Sequence, residues 1–132
     1  MTARIDSINV SVEESMEDWH YFLGGEEFGG PDNTKKMEEQ WESGVRGYYS
    51  LIVTVNVVTN SNRIVPVRGA LSAIDLLRDT EEHRRDSSEY LEEEARNIYL
   101  HELRPELIKD FRVPAKEVDR AYKEFDWSGV WS

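Results

Sequence analysis

The stretch 48–68 reads YYSLIVTVNVVTNSNRIVPVR, and its first half alternates as a strand does. Tyr49, Leu51, Val53, Val55 and Val57 fall on one side, and Ser50, Ile52, Thr54, Asn56 and Val58 on the other. Successive side chains of a strand point to opposite faces, and β-branched residues suit a pleated, half-buried surface. The pattern predicts a strand over 48–58 with its odd-numbered face in the core. Thr59-Asn60-Ser61-Asn62 is made of turn residues, and Arg63-Ile64-Val65-Pro66-Val67 then resumes an extended pattern, so a second strand over 62–68 closes a hairpin. Pro66 has no N–H to give a ladder, which places that strand at an edge or a bulge at Pro66.

Upstream, Ile8, Val10 and Val12 alternate with polar residues and predict a first strand near 4–11. Ser11 and Glu14 stand three apart, the spacing of a reciprocal cap, and predict a helix over about 13–23 with Met16, Trp19, His20 and Leu23 on one face. Residues 24–33, GGEEFGGPDN, form a flexible loop, and Asp32, Asn33 or Thr34 caps a short helix that carries Met37 and Trp41 and ends near Gly44. Downstream, Gly69–Arg78 is apolar on nearly all sides and reads as a short buried helix, with a strand as the alternative. Residues 87–112 carry the clearest helical stripe, through Leu91, Ala95, Ile98, Tyr99, Leu103, Leu107 and Phe111. Pro105 implies a kink there, or a fresh helix with Pro105 in its first turn. Pro114 opens a last helix with Val118, Ala121, Tyr122 and Phe125 inward, and residues 126–132 form an aromatic tail. The predicted class is α+β: a small antiparallel sheet of about three strands packed with helices, with a helical C-terminal half.

The 132 residues fit a single domain, and 39% apolar content suffices for one core. Acidic residues outnumber basic ones 27 to 16, for a formal charge of −11. Such a surface repels phosphate backbones and anionic lipid, which argues against direct nucleic-acid or membrane binding. The charge is uneven, because residues 46–70 hold three bases and no acid. The chain has no cysteine, so disulfides, thiol catalysis and Cys-type zinc sites are excluded. The absence of a long apolar run leads us to expect a soluble, cytoplasmic protein.

The candidate chemistry is sparse. His101-Glu102 is not completed to H-E-x-x-H, because Pro105 holds the last position. His20 has Glu17 one turn back, and His83 has Asp79 and Asp86 on its face, an adjacency expected by chance among 27 carboxylates. The glycine-rich loop 24–30 would repel phosphate through Glu26 and Glu27, and its functional version presents Phe28 to a partner. No G-x-S-x-G elbow is present. We expect no cofactor and no metal.

Glu82, Asp86, Glu89 and Glu93 recur at spacings of 4, 3 and 4, which on a helix over 81–94 lines four carboxylates along one face. Pairs such as Glu92→Arg96, Glu81→Arg85, Asp119→Lys123 and Glu93→Arg96 are the ordinary charge pattern of a solvated helix. Trp127 and Trp131 either fold back on the core or anchor a partner. The leading expectation is a non-enzymatic acidic module that engages a basic protein surface through Glu82, Asp86, Glu89, Glu93, Phe28, Trp127 and Trp131, in its sharpest form an inhibitor or DNA mimic of a nucleic-acid-binding protein. One alternative is a small metal-dependent hydrolase using His83 or His101 with nearby carboxylates. Another is an oligomeric chaperone or adaptor. A homodimer through the hairpin edge fits any of the three.

Overall fold

Leu51, Val53, Val55 and Val57 are all fully buried, as the alternation requires. The computed structural model describes residues 3–14, 39–40, 42–44 and 46–130. Three antiparallel strands, β1 (Arg4–Glu14), β2 (Arg46–Val58) and β3 (Ile64–Leu77), form one sheet in the order β1-β2-β3, so β2 is central. The helices follow as α1 (Glu81–Asn97), a π-helical turn (Ile98–Leu103), α2 (Arg104–Lys109) and α3 (Ala115–Glu124), before a 3-10 turn at Trp127–Gly129. The fold is α+β. Pro66 sits opposite Asn56 on β3, an edge strand, where its missing N–H costs nothing.

Two expectations need correction. Strand β1 runs to Glu14, with Ser11 opposite Ile52 and Glu14 opposite Tyr49, so no helix starts at 13. Long-range pairing with β2 outweighs the local capping signal. The helix expected over 13–23 and the loop over 24–33 otherwise lie outside the described residues, as do Met37 and Trp41. Gly44 has φ +81, the left-handed conformation in which a helix stops. The second correction is that residues 69–77 are not a helix but the second half of β3. Leu51 faces Leu71 and Tyr49 faces Ile74, so Ser72 and Ala73 together oppose Ser50. This is a bulge of one residue, with Ala73 at φ 58. The long helix starts at Glu81, where Thr80 Oγ1 accepts from the His83 N–H at 3.0 Å, so the span 81–94 that the carboxylate line needs is helical.

Pro105 lies in the first turn of α2, immediately after the π turn. There the Arg104 N–H bonds Tyr99 O, five residues back. A proline lacks the N–H and crowds the carbonyl four residues earlier, and the wider π turn gives that carbonyl room.

The same turn presses on the sheet at Gly69. A Cβ built there would stand 2.6 Å from Ile98 Cγ2 and 2.9 Å from Glu102 Oε2. Gly69→Ala should therefore lower stability by about 1–3 kcal/mol through overpacking. Chemical denaturation of Gly69→Ala, Ile98→Leu and the double variant should show partial rescue, since leucine carries no Cγ2 at the crowded position. Strict additivity would show that the two residues do not meet.

The buried helical face gathers Leu91, Ala95, Ile98, Tyr99, Leu103 and Leu107 against the sheet, with Val113, Val118 and Trp127 closing the core. The Tyr99 hydroxyl donates to Val118 O at 2.6 Å. Burial, followed by the Asp119 and Glu117 carboxylates, pushes the Tyr99 phenol well above its usual range. Its neutral form is favoured in the fold, so the linked stability is present below the unfolded phenol's pKa, about 10, and is lost as pH rises beyond it. Thermal melts should fall steeply above about pH 10 in the native chain and less so in Tyr99→Phe, which starts about 1 kcal/mol less stable at neutral pH. Equal alkaline slopes would remove Tyr99 as the cause.

Candidate acidic face of helix α1

Helix α1 buries Ser87, Leu91 and Ala95 and so fixes which side chains stand outward. Glu82, Asp86, Glu89 and Glu93 lie on the opposite side, and all four are exposed. At ~1.5 Å rise per residue the line is ~16 Å long, with one carboxylate about every 5 Å. Among the described residues none of the four forms an ion pair, although arginines elsewhere do.

The pairing elsewhere is selective. Arg96 takes Glu92 at 3.1 Å, as its spacing predicts, and leaves Glu93 alone. Arg96 also donates to the Tyr122 hydroxyl and stacks 5.8 Å from the Tyr122 ring and 6.0 Å from that of Trp127, which draws it away from the carboxylate line. Asp119 pairs with Arg104 at 2.9 Å and not with Lys123, and that hydrogen bond holds its carboxyl below the usual range. Arg120 is held between Glu117 and Glu124. No ion pair joins Glu81 to Arg85 among the described residues.

Trp127 is 2% exposed and its indole N–H donates to Tyr122 O at 2.9 Å. It packs edge-on to Tyr99 and Phe125, with ring centroids 5.6 and 4.7 Å away. A buried indole cannot anchor a partner, so Trp127 leaves the set of expected contact residues. Phe28 and Trp131 lie outside the described residues. One residue the sequence did not flag belongs here: Tyr90, 43% exposed on α1. Partial burial, then the Glu94 and Glu93 carboxylates, push its phenol above the usual range. Its place on the helix, one turn from Asp86 and from Glu93 and Glu94, was available from spacing alone.

Among the described residues His83 and His101 stand apart. His83 Nδ1 bonds Asp79 at the start of α1, and this bond holds the Asp79 carboxyl below its usual range. His101 is exposed, and His20 lies outside the described residues. Among the described residues no three histidines or carboxylates are grouped to hold a metal. The depressions around α3 are shallow and lined by Lys116, Asp119, Arg120, Lys123 and Glu124, whose charges largely cancel. No described helix is long and apolar enough to cross a membrane.

The architecture is thus a helix-covered antiparallel sheet whose long helix carries the candidate site outward. Comparison with protein-family models, with curated proteins and with solved structures finds no match to this chain.

Proposed function

We propose that the chain is an acidic interaction module whose α1 face engages a basic protein surface, in its sharpest form the groove of a nucleic-acid-binding protein. The observation that carries this is the contrast on one helix: Glu92 is neutralised by Arg96, whereas Glu82, Asp86, Glu89 and Glu93 stand in line, exposed and without an ion pair among the described residues. A strand of duplex DNA presents one charge per ~3.4 Å of axis, so a line at about 5 Å is sparser but of the same kind. The net charge of −11 adds long-range attraction to any cationic partner.

The test is a pull-down from host lysate at low and high ionic strength, using the native chain and a variant with all four residues changed to lysine. Proteins with basic grooves should be captured at low salt, released by high salt or competing duplex DNA, and missed by the variant. Capture that survives both salt and charge reversal would overturn the proposal.

A further inference from the structure

Among the described residues, helix α1 and the far face of the sheet carry charge of opposite sign that forms no ion pair. Helix α1 points its carboxylate line away from the sheet, because Leu91 and Ala95 on its other side are in the core. On the far face of the sheet, register and alternation place Arg4 beside Val58 and Arg68 beside Thr54, with Arg63 in the turn just beyond. All three arginines are exposed and form no ion pair among the described residues. Of the nearby acids, Asp6 lines the depression between β1 and α3 with Arg120 and Glu124 and forms no ion pair among the described residues. Asp75 is gripped by Arg46 through two bonds of 2.9 and 2.6 Å, and Glu13, opposite Ser50, is at the distant end of the sheet.

We propose that this arginine-bearing sheet face docks the carboxylate line of a second copy of the chain. The dimensions agree: Arg4 and Arg68 are four residues apart along the strands and two strands apart across them, ~17 Å, against ~16 Å for the line on α1. The contact joins unlike surfaces, so it grows head to tail and does not close as a symmetric dimer. The three strands together span roughly 14 Å by 40 Å, so the face offers at most about 550 Å², less than the ~800 Å² per partner of a stable interface, and the association is weak and reversible. The docking shares the α1 carboxylate line with the proposed function, and the arginines are the part that is its own.

Sedimentation velocity of the full chain from about 10 to 500 µM at about 100 mM salt reads the outcome directly. The native chain should show a sedimentation coefficient that climbs with concentration. A sheet variant (Arg4→Glu, Arg63→Glu, Arg68→Glu) and a helix variant (Glu82→Lys, Asp86→Lys, Glu89→Lys, Glu93→Lys) should each stay monomeric, with native circular dichroism. An equimolar mixture of the two should associate again, because each then presents the charge the other's altered face requires. A native chain that stays monomeric, association untouched by the arginine changes, or folded variants that fail to rescue one another would each overturn the proposal. The sheet variant separates this proposal from the proposed function, because it should lose self-association while its unchanged carboxylate line still captures basic proteins in the lysate pull-down.

Discussion

Replacing Trp127 by alanine should lower stability by about 3–5 kcal/mol, the range for truncating a buried large aromatic. The side chain sits among Tyr99, Tyr122 and Phe125. Its indole N–H also caps Tyr122 O, near the end of α3 where helical carbonyls lack a partner inside the helix. Total stability for a domain of this size is about 5–15 kcal/mol, so the variant approaches the unfolding threshold at physiological temperature. Trp127→Phe separates the two contributions. It keeps most of the ring and loses the capping bond, and should cost about 1–2 kcal/mol. Urea titration followed by far-UV circular dichroism measures both. A loss below about 1 kcal/mol for Trp127→Ala would mean that the segment after α3 is not part of the core.

The second large effect runs in opposite directions for binding and for stability. Asp86→Asn, Glu89→Gln and Glu93→Gln together should weaken capture of a basic partner by about 3 kcal/mol, on the order of 100-fold. Folding stability should hold or rise by up to about 1 kcal/mol, because like charges at i,i+3 and i,i+4 oppose the helix by a few tenths of a kcal/mol per pair. Glu82 is kept in this variant, since a carboxylate in the first turn favours the helix dipole. Thermal melting checks the second half of the prediction. If the triple variant melts lower by more than about 1 kcal/mol, the line belongs to the scaffold and its exposure has another cause.

The hairpin could be read from sequence because Leu51, Val53, Val55 and Val57 alternate without interruption and Pro66 marks the edge. Tyr99 and Leu107 were equally legible from helical spacing. Residues 69–77 were not, and the cause is the bulge. Val65, Val67 and Leu71 share the face of Val57, Val55 and Leu51, but beyond Ala73 the same face is taken by Ile74 and Leu76. Odd positions hand over to even ones, and the mixture of parities imitates a helix that is apolar all round. Ser11 and Glu14 misled for another reason: a local cap signal carries no knowledge of a strand forty residues away. At the candidate site, sequence spacing gave the line of carboxylates. It could not say that Arg96 would turn toward Tyr122 and Trp127, which is why Glu93 is left without its expected neighbour.

The bulge at Ala73 makes β3 unusually tolerant of one particular change in length. Removing one residue from the middle of a strand normally turns everything beyond it inside out. Excising Ala73 alone would instead set Ser72 opposite Ser50 and leave Leu71, Ile74 and Leu76 on the sides they already occupy. The strand carries one surplus unit, and the codon for Ala73 is a place where this gene can lose three bases and still encode the same core.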